Sequence, residues 1–341
     1  MFHSTSLLAR VAVLVTLLAC AATQPANAVV GTQTLDFSDA ARGRKLTSEL
    51  WFSAAPGTRA ESFSVLLPIT AIEIARNAVP DVSLRTRPLI VVSHGNWGTR
   101  YSQGWLIREL VNAGYVVLSV SHPGTLNDDQ TLAGRTRLWD RSRDVTVVLN
   151  ALLADDKWRP LIDAQRIGFV GHSFGGFTGL SLAGARFDLV QQHAACDAMK
   201  VKDMYCQALL TEDYVSVSRA GMADSYLDAR IKAFYLMATG PSQGFSAESL
   251  LGIKASIFLD TARFDTVLEP VSNSTAMAKR IPKAIEVLRD VSHFTYVPLC
   301  KPGIGKLVAP LICTDQDGVD RAGTHSVVAR SAIAFFANTL Q

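Results

Sequence analysis

The sequence predicts a doubly wound α/β fold, and three observations carry that expectation. Short runs that are apolar on both faces recur from Pro88 onward, as buried parallel strands require. Segments of helical period separate them through most of the remaining chain. A Gly-Gly-flanked turn at 171–176 joins one such run directly to one such segment. With 341 residues, 48% hydrophobic and 18% charged, the chain can bury one large core, which excludes intrinsic disorder as its main state. The 33 basic and 30 acidic residues nearly cancel, and no Lys/Arg block of five or more occurs, so a nucleic-acid partner has no electrostatic footprint.

The first 28 residues read as an export signal. Arg10 is the only charged side chain before Asp36, and Val11 to Ala22 is small and apolar. Those 12 residues are too few to span a bilayer. Pro25-Ala26-Asn27-Ala28 follows as an A-x-A cleavage site, so cleavage after Ala28 and a secreted or periplasmic location are expected. Leu17-Leu18-Ala19-Cys20 offers a second route, a lipid anchor on Cys20. Either way four of the five cysteines remain, in two close pairs. An oxidising compartment favours Cys196–Cys206 and Cys300–Cys313 among the three pairings four cysteines allow. A zinc site has no C-x-x-C to support it.

Gly31 to Arg44 reads as polar and turn-rich. Leu46 to Ser53 and Phe63 to Leu67 alternate and are expected as a leading antiparallel pair. The buried runs then follow in order: 89–92, 115–120, 167–170, 231–237, 255–259 and 284–288. Helices are expected over 105–112, 145–153 and 322–340. The stretch 187–228 breaks the rhythm and reads as an insertion, a cap over the carboxyl edge of the sheet. Residues 29–341 thus form one domain.

The chemistry starts at Gly171-His172-Ser173-Phe174-Gly175-Gly176. This fits G-x-S-x-G with a strand before and a helix after, the context of a nucleophile elbow. Side chains in place of the flanking glycines would collide in so tight a turn. A serine hydroxyl needs a base, expected downstream, with an acid between them. Among His94, His122, His172, His193, His293 and His325, His293 is favoured because it follows the last core strand. His325 is the runner-up. Asp265, a short turn beyond the 255–259 strand, is the favoured acid over Asp260. Backbone N–H groups of Asn96 and Phe174 are the expected oxyanion donors. His94, Trp97, His122 and His172 are candidate pocket residues, although loop bracing also suits His94 and His122, and core packing suits Trp97. Asp140, Arg141, Arg143 and Asp144 read as a solvated or ion-paired face before a helix.

Together these residues resemble the α/β-hydrolase superfamily, and within it bacterial dienelactone hydrolase-like and platelet-activating-factor acetylhydrolase-like serine esterases. The likeness rests on Ser93-His94-Gly95, Ser121-His122-Pro123-Gly124, Arg143-Asp144-Val145 and the 171–176 turn. Asp265-Thr266-Val267, His293-Phe294-Thr295 and the Cys300…Cys313 tail with Gly318-Val319-Asp320-Arg321 extend it to roughly residues 60–341. The resemblance implies an α/β-hydrolase fold, a Ser173–Asp265–His293 triad and esterase chemistry on a small-molecule ester, with no metal or cofactor. Dienelactone hydrolases carry Cys at the nucleophile, and this chain has Ser, which points away from dienelactone as substrate.

Overall fold

The computed structural model describes residues 29–83, 86–199 and 203–341; the expected leader, its Ala28 cleavage site and Cys20 lie outside them. Ten strands form a single sheet: β1 (Val30–Asp39), β2 (Arg44–Ser53), β3 (Glu61–Phe63), β4 (Ile72–Arg76), β5 (Arg87–Ser93), β6 (Val116–Val120), β7 (Ile162–His172), β8 (Ile231–Met237), β9 (Ser256–Ala262) and β10 (Ile285–Arg289). Their spatial order is β10-β9-β8-β7-β5-β6-β2-β1-β4-β3. The strands from β6 through β5, β7, β8 and β9 to β10 are all parallel. Their carboxyl ends therefore share one edge, and Ser173, Asp265 and His293 all follow such ends.

Alternate side chains of the central strands feed two cores. Leu89 and Val91 of β5 face one side, and Ile90 and Val92 the other. The first core packs against α3 (Trp139–Ala154) and α4 (Phe174–Leu182), and the second against α1 (Gly104–Asn112) and α11 (Arg321–Thr339). Burial on both faces explains why these strands read as continuous apolar runs. Among the described residues no helix is long and apolar enough to cross a membrane.

The amino-terminal reading needs correction. Residues 30–39 are a strand rather than a turn-rich segment, paired antiparallel with β2 in unbroken register from Val30↔Ser53 to Asp39↔Arg44. Only Leu35 and Phe37 of its outer half pack against the core, too sparse a signal among Thr, Gln, Ser and Asp to announce a strand. The expected strand 63–67 shrinks to its first residue, which ends β3. Val65 and Leu66 instead line a cavity, which accounts for their apolar character.

The 187–228 stretch contains α5 (Leu189–Met199) and α6 (Met204–Thr211), joined by a Cys196–Cys206 disulfide. A second disulfide, Cys300–Cys313, closes a loop holding α9 (Ile304–Val308) and α10 (Pro310–Cys313). Both pairs are those expected. The remaining helices are α2 (Leu132–Thr136), α7 (Ala247–Leu251) and α8 (Ser274–Arg280).

Candidate active site

Ser173 sits between β7 and α4 with φ 57° and ψ −118°. Left-handed backbone is costly for a residue with a Cβ, and such strain persists only where surrounding structure enforces it. Here the enforcement is steric. A Cβ on Gly175 would overlap the Ser93 carbonyl, and one on Gly171 would overlap the Gly175 carbonyl. The turn also hydrogen-bonds across to β8, where Ser173 N–H donates to the Met237 carbonyl at 3.0 Å. Gly175→Ala is accordingly expected to cost about 3 kcal/mol, because backbone rather than a flexible side chain opposes the methyl. Thermal unfolding of the variant checks it, and an unchanged Tm would refute the steric account.

Ser173 lies on the wall of a cavity of about 720 Å³. Apolar side chains dominate the lining, among them Val65, Ile69, Leu209, Leu268, Val297 and Ile312. Asn96, Trp97, His172 and Phe174 line it as well, so the residues expected around the nucleophile converge there. Trp97 is 62% exposed at this wall, with φ 60°. From the insertion, Met204, Tyr205 and Leu209 of α6 contribute to the wall.

His293 begins the short turn after β10 and is buried. Its Nδ1 lies 2.7 Å from Asp265 Oδ2. The other carboxylate oxygen, Oδ1, accepts the backbone N–H groups of Val267 and Leu268, each at 2.8 Å, which fixes the acid's orientation. His172 Nε2 reaches the His293 carbonyl at 3.2 Å, and the two rings are 4.9 Å apart, so the Ser173 turn and the His293 segment are in contact. Asp260 has other partners. It accepts two hydrogen bonds from Arg289, at 2.6 and 2.8 Å, and others from the Tyr235 and Tyr296 hydroxyls. His325 is stacked on Trp105 with ring centres 3.9 Å apart, and its Nε2 meets the Thr295 carbonyl at 2.9 Å. His193 stacks on Tyr214.

Asn96 and Phe174 flank Ser173 in the lining, and among the described residues neither backbone N–H meets a protein acceptor. For Phe174 this follows from position, since the first residue of a helix has no intrahelical acceptor.

His94 and His122 stand behind the cavity wall rather than on it. Both are essentially fully buried, and the His122 N–H donates to His94 Nε2 at 3.2 Å. Burial, with the nearby Arg141 charge, holds both imidazoles well below the usual histidine range. His172 is lowered too, by burial and by His293. The charge cluster at 140–144 also differs from expectation. It lies within α3, and Arg141 and Asp144 are buried. A helical period turns these two inward while Asp140 and Arg143 stay nearer solvent, a split that a block of charges in sequence conceals.

The comparisons with known proteins bear on the family and the fold. Residues 90–335 match the alpha/beta hydrolase family. Cutinase est1 of Thermobifida alba is 33% identical over 102 residues, which is 29% of this chain and 31% of the relative. Cutinase 2 of Thermobifida cellulosilytica is 30% identical over 102 residues, 29% of this chain and 36% of the relative. The match thus spans about a third of the length of these curated relatives. A ferulic acid esterase from Streptomyces cinnamoneus superposes with a TM-score of 0.60 at 19% identity, covering 94% of this chain and 92% of its own, a likeness of fold. The family match extends from the middle of β5 past Ser173, Asp265 and His293, and the chain belongs to the alpha/beta hydrolase family.

Proposed function

We propose that the protein is an exported serine carboxylesterase working through Ser173, His293 and Asp265. The observation that carries this reading is a serine in strained left-handed backbone on the wall of an apolar cavity, whose neighbour His172 contacts the carbonyl of a buried histidine already paired with a carboxylate. Ser173 Oγ attacks the ester carbonyl carbon while His293 Nε2 takes its proton. The tetrahedral oxyanion is held by the N–H groups of Asn96 and Phe174. Collapse breaks the bond to the alcohol oxygen, which leaves with the proton from His293. Water then repeats the sequence on the acyl-enzyme and releases the acid. Asp265 keeps the Nδ1 proton on the ring, so Nε2 stays available as the base. No metal or cofactor enters these steps.

The apolar lining suits an ester with a substantial hydrocarbon portion, and the 187–228 insertion acts as a cap forming one wall. The two disulfides support export to an oxidising compartment. The narrower likeness to dienelactone hydrolase-like and acetylhydrolase-like esterases rests on the sequence motifs. Similarity to proteins named cutinases favours a second reading, a polyester hydrolase or lipase with the same triad. A panel of p-nitrophenyl esters of rising acyl length, a lactone and a polyester film separates these.

A fluorophosphonate probe tests the shared mechanism. Ser173 is expected to carry the label, located by mass spectrometry, and Ser173→Ala to abolish it. A purified protein that folds but does not react would instead indicate a binding protein on a hydrolase scaffold.

A further inference from the structure

Arg141 is a buried charge for which the proposed mechanism has no step. Only 2% of the residue is exposed. Its guanidinium donates to Thr178 Oγ1 at 3.1 Å, Thr125 Oγ1 at 2.5 Å, Ser93 Oγ at 3.2 Å and the His94 carbonyl. All four acceptors are neutral. The carboxylate nearest in sequence on the inward face, Asp144, is engaged by Arg44, Arg42 and His122. No carboxylate lies within ion-pair distance of Arg141 among the described residues. Burial lowers it to about 9, so it remains cationic at neutral pH. A hydrocarbon side chain of similar size would fill this space at lower cost.

Its position suggests what the charge does. Ser93 and His94 lead straight into the Gly95–Asn96 loop. Thr178 lies one turn into α4 and hydrogen-bonds the Phe174 carbonyl at 2.9 Å. The Phe174 ring centre is 6.0 Å from the guanidinium carbon. Arg141 therefore bridges the two segments that carry the candidate oxyanion donors. We propose that Arg141 is a positioning residue for the oxyanion hole, fixing the Asn96 loop against the Phe174 helix and holding positive potential behind both N–H donors. A neutral ester gains little from that potential, whereas the anionic tetrahedral intermediate gains much, so the effect falls on kcat.

The surrounding network acts as a brace. Ser93 Oγ lies 2.9 Å from His122 Nε2, and His122 Nδ1 lies 3.1 Å from Asp144 Oδ2. This copies the connectivity of a catalytic triad. All three residues are buried and none lines the cavity, so no substrate carbonyl reaches Ser93.

The inference rests on the serine-hydrolase reading, and its test separates the two. Arg141→Met removes the charge and its hydrogen bonds while keeping bulk. Its kcat on a p-nitrophenyl ester is expected to fall roughly 30-fold with KM within about twofold. Affinity for a boronic acid, which forms an anionic tetrahedral adduct on the serine, should weaken by a similar factor. Arg141→Lys should recover part of both. A residue that only supports the fold would lower the Tm without this parallel loss. Unchanged kcat in a folded Arg141→Met, or a loss of kcat with boronate affinity intact, overturns the proposal. Should Arg141→Met fail to fold, Thr125→Ala and Thr178→Val each remove one anchor, and several-fold losses in kcat and boronate affinity are expected; no change in either variant overturns it as well. Failure of the wild-type protein to label with fluorophosphonate would sink the hydrolase reading itself, whatever Arg141 does.

Discussion

Asp265→Asn is expected to lower kcat by roughly 10⁴-fold, with little change in KM or folding. The reasoning is local. In the native protein Oδ1 accepts from Val267 and Leu268, and Oδ2 faces His293 Nδ1 at 2.7 Å. Asparagine can keep its oxygen on the two backbone donors, so the loop survives. Its NH₂ then faces Nδ1 and forces that nitrogen to accept. The ring proton moves to Nε2, and under the proposed mechanism His293 then offers Ser173 a donor where an acceptor is needed. Asp265 does not line the cavity, so substrate binding is spared. Asp260→Asn is the matched control. It disturbs contacts with Arg289, Tyr235 and Tyr296, and should lower the Tm while leaving the folded fraction active. Steady-state kinetics and thermal melts on both variants decide the matter. If Asp265→Asn lost less than tenfold, or Asp260→Asn lost more than Asp265→Asn, the acid would be misassigned.

The contrast between those aspartates shows what sequence can and cannot carry. The core strands were legible because burial on both faces writes an apolar run into the chain. The elbow was legible because a steric requirement writes glycines at fixed offsets around Ser173. Both disulfides followed from close pairs and an expected oxidising compartment. Choosing Asp265 over Asp260 depended on how far beyond the strand a carboxylate must stand, a weaker guide, and the geometry adds that Asp260 has three other partners. The strand at 30–39 was invisible because its partner supplies the register while its own residues are mostly polar. Arg141 and Asp144 looked like surface charges because their inward turn depends on the phase of a helix whose start, at Trp139, the sequence does not mark. The helix carries no side-chain cap. Met204 and Leu209 were missed as cavity residues because the fold brings them there from an insertion without a motif.

The protein is expected to lose stability between pH 7 and pH 5.5, by up to about 5 kcal/mol, as much as many domains possess. His94, His122, His172 and His325 are all buried, and burial is the main force lowering each of them. His325 is lowered to about 4 and the other three well below 6.5. The sign follows from proton counting. The folded protein disfavours the charged form of these rings, whereas the unfolded chain protonates them near pH 6.5. The unfolded state thus binds more protons, and stability falls as pH falls below 6.5, each ring contributing up to about 1.4 kcal/mol per pH unit. Asp203 works in the opposite direction, since burial raises its carboxyl, but it is a single group. Three of these rings lie around the proposed site: His94 and His122 are hydrogen-bonded in the segment that leads to Asn96, and His172 touches His293. His325→Gln can keep a donor on the Thr295 carbonyl without a titrating ring. It should flatten the decline by about a quarter, at some cost in stability at pH 7 from the lost stacking on Trp105. Urea unfolding at pH 7, 6.25 and 5.5 measures both slopes. A wild-type stability that stays level across this range would mean that these rings are hydrated or protonated in the folded protein, against their burial.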